Sequence, residues 1–127
     1  MNKVILITGA TCALIAVLLG AFAAHGLEKV VEPESVNSFK TGVQYQMYHA
    51  IACLFLGMST VLNQKALKRT FYLFLGGITL FSGSIYLLVL DELIGVNLSS
   101  TGFITPLGGL LLIFGWVSLI FSLIKIK

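Results

Sequence analysis

The stretch VILITGATCALIAVLLGAFAA (residues 4–24) contains no charged side chain and no proline. As a helix, roughly 20 residues rise about 30 Å, the thickness of a bilayer's hydrocarbon core. Three further runs are also free of charged side chains: VQYQMYHAIACLFLGMSTVL (43–62), FYLFLGGITLFSGSIYLLVL (71–90) and TPLGGLLLIFGWVSLIFSLI (105–124). They predict an all-α chain, an integral membrane four-helix bundle forming one domain over residues 1–127. The first run has features of a secretory signal, with Lys3 before it and Ala21-Phe22-Ala23 near its end. Its apolar stretch exceeds the usual 7–15 residues and its basic region is a single lysine, so it reads as a span.

Composition agrees. Hydrophobic residues are 57% of the 127 and charged ones 10%, against roughly 25% charged in a typical soluble domain. A chain this small has much surface per residue; eight basic and five acidic side chains cannot cover it, so most of it must face lipid. No basic run suits nucleic acid. Cys12 and Cys53 lie inside apolar runs and give neither a disulfide framework nor metal-ligand spacing.

The basic residues set an orientation. Lys3, Lys65, Lys68, Arg69, Lys125 and Lys127 fall on one side of the four spans, Lys29 and Lys40 on the other. This six-to-two split places both termini and the 63–70 loop in the cytoplasm. Between the first two spans, Pro33 suits a first helical position, and Val36, Phe39, Val43 and Met47 recur at helical spacing. Residues 33–42 therefore read as a short amphipathic segment entering the second span. Thr105-Pro106 resembles an N-cap and first-turn proline opening the fourth helix. Asp91–Ile104 reads as a short connection at the outer interface.

In lipid, helices associate by close approach of small residues. Gly20, Gly57, Gly83, Gly108 and Gly115 are the expected packing positions, within stripes that also include Gly9, Gly76 and Ser118.

Polar side chains gather in the outer half: His25 at the end of the first span, Gln44, Tyr45, Gln46, Tyr48 and His49 opening the second, Ser82, Ser84 and Tyr86 late in the third, and Thr105 opening the fourth. The hydroxyls of the other half, Ser118 and Ser122 among them, can bond back to their own helix. His49 lies about 9 Å inside its span. Facing lipid it would leave its nitrogens unsatisfied, so it should face inward. Two roles are open for it: an interhelical hydrogen bond, to Ser82, Ser84 or Tyr86, or a binding or proton-handling role. His25 at the interface needs no special role. A haem held by His25 and His49 is disfavoured by their different depths, zinc by the lack of ligand pairs, and serine catalysis by the lack of an orienting acid within the spans. Trp116 and the phenylalanines read as lipid-facing or core bulk. No span carries a charge, whereas proton-coupled transporters usually need one.

The block GAFAAHGL (20–27), with TGVQYQMYHA (41–50), FSGSIY (81–86), ITPLGG (104–109) and Gly115-Trp116, resembles the bacterial domain of unknown function 423 family, which is related to eukaryotic transmembrane protein 256. The blocks occur in family order over nearly the whole chain; Ala23 stands where the family often has glycine. The resemblance implies a small multi-span membrane protein without an established activity, and suggests that His25, Tyr45–His49 and Ser82–Tyr86 belong to one shared feature.

The expectation is thus a non-enzymatic bundle that binds a membrane lipid or a membrane partner, including another copy of itself. Its polar pocket in the outer half would be lined by His25, Gln44, Tyr45, Tyr48, His49, Ser82, Ser84 and Tyr86, with no cofactor and no metal. The alternatives are an oligomeric small-solute transporter or channel, and a histidine-dependent cofactor or redox protein.

Overall fold

The computed structural model describes residues 1–126; Lys127, counted above among the basic residues, lies outside them. The described residues are helical: α1 Lys3–His25, α2 Pro33–Met58, α3 Gln64–Ile94 and α4 Ile104–Ile124, with 3-10 turns at Leu27–Lys29 and Ser99–Thr101. There is no strand among them.

Local chemistry sets the helix ends. The Asn2 and Asn63 side chains accept hydrogen bonds from the Ile5 and Ala66 amides at 3.2 and 2.9 Å, capping α1 and α3. Pro33 occupies the first turn of α2, where its missing N–H costs nothing. Gly95 ends α3 at φ 71°, a left-handed conformation open to a residue without a Cβ. Residues 33–42 form the first turns of the second helix, continuous with it, and α3 outruns its apolar stretch at both ends. Thr105 does not cap α4, because Phe103 stands at that position; its hydroxyl bonds Ser84 instead, at 2.6 Å.

The extensive pairings are α1 with α2, α2 with α3 and α3 with α4, each antiparallel. The Asn2 amide donates to Gly57 O at 2.8 Å, while Gly20 lies against Val43. Gly42 meets Tyr86, and His49 meets Phe74. Gly108 meets Phe81, Gly115 meets Phe74, and Thr70 bonds Ser118. The start of α1, the end of α4 and the 59–63 turn therefore share one end, called here the terminal end. The 26–32 and 95–103 connections share the other, the loop end.

Glycine sets these approaches, although not all of the expected ones. A Cβ on Gly108 would lie 2.2 Å from the Phe81 amide nitrogen, and on Gly115 2.5 Å from the Phe74 ring. On Gly57 it would meet Leu6 at 2.7 Å. Gly20 makes only ordinary contact, at 3.4 Å, and Gly83 has nothing within 4 Å. The role given to Gly83 falls to Gly77, whose Cβ would strike Leu112 at 2.3 Å. The six residues from Gly77 to Gly83 turn about 600°, which leaves Gly83 about 120° round the helix from Gly77 and off the α4 seam.

Apolar clusters fill both ends. Ile5, Cys53, Leu56, Leu67, Phe71, Phe74 and Leu112 pack at the terminal end and centre. Ala23, Leu27, Val36, Phe39 and Val89 pack at the loop end. The remaining apolar bulk points outward: Leu14, Val17 and Leu18 on α1, and Ile113, Phe114, Ile120 and Phe121 on α4, are all exposed. A water-facing protein could not carry such a surface. Three segments, Lys3–Lys29, Gln64–Ile94 and Ser99–Ile124, are long and apolar enough to cross a membrane. α2 matches them in length but is diluted by the polar residues of its first half.

Candidate functional site

The polar residues of the loop half divide into an interior group and an exterior one. A helix turns about 100° per residue, so residues two apart, such as Gln44 and Gln46, face nearly opposite ways. Gln46 is buried, Gln44 exposed.

Gln46 is the hub inside. Its Nε2 donates to Cys12 O of α1 at 2.8 Å, and its Oε1 accepts from the Tyr86 hydroxyl of α3 at 2.8 Å. One amide thus ties three helices. A turn earlier, the fully buried Ser82 hydroxyl donates to Gly42 O at 2.6 Å. Tyr86 lies over Phe39, with ring centroids 4.8 Å apart. Ser84 joins Thr105 of α4 and donates to Phe81 O at 3.0 Å.

His49 is buried in an aromatic setting, its ring edge-on to Phe74 at 5.2 Å and to Trp116 at 5.9 Å. Its Nδ1 lies 2.7 Å from Tyr45 O, and its Nε2 lies 3.0 Å from Trp116 Nε1. A carbonyl only accepts and an indole only donates. The imidazole is therefore neutral, protonated on Nδ1, with both nitrogens engaged. It takes the interhelical role, but its partner is Trp116 and none of Ser82, Ser84 or Tyr86. Binding a metal or relaying a proton would first require breaking one of these bonds. Among the described residues no group of three His, Cys, Asp or Glu side chains could hold a metal, and no buried side-chain nitrogen or oxygen lacks a partner.

The exterior group is different. Tyr45 is 40% exposed and Tyr48 56%, and Gln44 and His25 are exposed as well. Tyr45 rests on Phe81 at 4.9 Å and Tyr48 beside Tyr45 at 5.9 Å. Gln44, Tyr45 and Tyr48 form a stripe on the outward face of α2. The eight expected pocket residues therefore do not converge on one cavity. His49, Ser82, Ser84 and Tyr86 bond inward with Gln46, while Gln44, Tyr45 and Tyr48 look outward and His25 ends α1.

Three cavities lie elsewhere. At the loop end a groove of about 680 Å³ runs between Ser35, Thr41, Ile85, Val89, Glu92 and Thr105. There Glu92 accepts from the Ser35 hydroxyl and, at 3.0 Å, from the Glu32 amide, and these bonds hold its carboxyl below the usual range. At the terminal end a cavity of about 520 Å³ is bounded by Asn63, Lys65, Arg69, Ser122 and Lys125. An apolar groove of about 310 Å³ lies between α2 and α4, along Phe55, Leu56, Trp116 and Leu119. Sequence reasoning passed over Gln46 as a hub, Trp116 as a donor, and Arg69, whose Nε and Nη2 donate to Ser118 and Ser122 at 2.8 and 3.1 Å.

An all-helical chain with an apolar exterior and a self-satisfied polar interior is a small integral membrane protein. It belongs to the family described as protein of unknown function (DUF423), which it matches over residues 19–109. It is 40% identical over 111 residues to a UPF0382 membrane protein of Haemophilus influenzae, covering 87% of this chain and 86% of that one. It is 38% identical over 125 residues to UPF0382 membrane protein YwdK of Bacillus subtilis, covering 97% and 98%. A UPF0382 membrane protein of Staphylococcus aureus is 37% identical over 123 residues, 97% of each chain. No solved structure matches the chain.

Proposed function

We propose that the protein is non-enzymatic and binds a lipid or a membrane partner through the exterior stripe of Gln44, Tyr45 and Tyr48. One observation carries this reading: the loop half satisfies its interior polar groups internally, yet leaves an amide and two phenols outward at the same depth. Inside a bilayer such groups cost free energy unless they find a partner, and Gln and Tyr on a helix face are effective interhelical donors. The engagement of both His49 nitrogens argues against a histidine-dependent cofactor, and the internally bonded interior argues against a polar conduit through one copy.

In this reading α2 is a fourth crossing, supported by its antiparallel run along α1. The terminal end faces the cytoplasm, supported by the excess of Lys and Arg there, and the stripe lies in the outer leaflet of the plasma membrane. A benzophenone amino acid replacing Tyr48, irradiated in native membranes, is expected to give a discrete adduct that the same probe at the exposed Ile113 does not. Indistinguishable diffuse labelling at both positions would refute the reading. Cysteine labelling of the 63–70 segment from inside but not outside the cell checks the orientation.

A further inference from the structure

The terminal end combines two features, which meet the loop-half network only at Trp116, the partner of His49. Its cavity is bounded by Lys65, Arg69 and Lys125, together with the polar side chains of Asn63 and Ser122, and among the described residues no carboxylate lines it. All five acidic residues of the chain, Glu28, Glu32, Glu34, Asp91 and Glu92, belong to the loop end. The guanidinium of Arg69 is held against α4 by Ser118 and Ser122. This engages two of its five N–H donors and leaves the rest for an anion. The apolar groove begins where this cavity ends. Leu62 lines both, and Leu123 of the groove follows Ser122 of the cavity. From Leu123 to Trp116 the groove descends about 10 Å along α4 into the apolar zone.

A cationic cavity at membrane-surface height, opening into an apolar channel that runs inward, matches the two chemistries of one molecule. We propose that the terminal end is a binding site for an anionic phospholipid of the adjacent leaflet. Its phosphate lies among Lys65, Arg69 and Lys125, and one acyl chain lies along Phe55, Trp116 and Leu119. Charge complementarity selects the headgroup, because basic pockets between transmembrane helices concentrate anionic lipid, and Arg presents a fork suited to phosphate. The apolar groove separates this occupant from a free anion, which would leave it empty. The site stands apart from the exterior stripe of the other half and does not depend on it.

Trp116 is the only tryptophan and lines the groove, so its fluorescence reports occupancy. The full chain is reconstituted in phosphatidylcholine vesicles containing a small fixed fraction of bromine-labelled phosphatidylglycerol, or the same fraction of bromine-labelled phosphatidylcholine. Labelled phosphatidylglycerol is expected to quench more strongly. Lys65→Gln with Lys125→Gln, at two exposed positions, is expected to lower the relative affinity about fivefold per cation removed. Circular dichroism and the unquenched Trp116 emission verify that the double variant stays folded. Equal quenching by the two labelled lipids overturns the proposal, as does a preference that survives both the double variant and Arg69→Gln. Equal quenching by the two labelled lipids, together with a change in Trp116 emission on adding inorganic phosphate but not chloride at equal ionic strength, would assign the cavity to a free anion and overturn the lipid.

Discussion

The two ends of the molecule handle polarity in opposite ways. At the loop end, polar side chains sit inside: Gln46, Tyr86, Ser82 and His49 bond to neighbouring helices. At the terminal end the interior is mainly apolar, built from Leu67, Phe71 and Phe74 with Thr70 bonded to Ser118, while Lys65, Arg69 and Lys125 surround an open cavity. The interior polar groups of the first end hold helices together because their capacity is used. Those of the second keep donors in reserve, as a binding surface must. Capacity left over, more than polarity itself, separates a binding surface from a scaffold.

That distinction can be broken experimentally. The largest effect is expected at the closest helix approach: Gly108→Ala places a methyl against the Phe81 backbone and should cost about 3 kcal/mol, whereas Gly83→Ala, in open space, should be near neutral. Reversible unfolding in mixed detergent micelles measures both. His49→Ala removes two hydrogen bonds and a buried ring, for an expected loss of about 2 kcal/mol. Tyr86→Phe removes one interhelical bond, worth about 0.6 kcal/mol; a larger loss would mean that the Gln46 hub is cooperative. Arg69→Gln should change stability little while weakening selection of anionic lipid. The smallest effect concerns Glu92. Its carboxyl pKa is depressed in the fold, so its contribution is fully present above the ordinary carboxylate pKa and fades as pH falls through the lowered value. Unfolding midpoints across the acidic range should therefore decline less in Glu92→Gln than in the parent chain.

Much of the helix plan could be read from the chain, because a charge-free run of about twenty residues has few alternatives. Helix ends were less legible: apolarity marks the part of α3 able to enter lipid, and Asn63 and Gly95 mark where the helix begins and stops. The inward turn of His49 followed from the cost of an unsatisfied imidazole, but its partner did not. Trp116 is 67 positions away and sits in a run where an indole looks like bulk. Gln44 and Gln46 were indistinguishable by type, and only the packed rotation of α2 tells hub from surface. Arg69 read as a loop charge because nothing local reveals that its side chain lies along α4.

The row-like pairing of α1 with α2, α2 with α3 and α3 with α4 bears on biogenesis. Each helix after the first packs on the one immediately before it in the chain, so assembly can follow the order of synthesis with little loop-closure entropy. The Cys12–Gln46–Tyr86 link is complete once the third helix docks. The imidazole of His49 must wait for the fourth, keeping one nitrogen unquenched until Trp116 arrives. A nascent chain stalled before residue 116 would hold that polar atom bare within the bilayer, a ready mark of an unfinished product for membrane quality control.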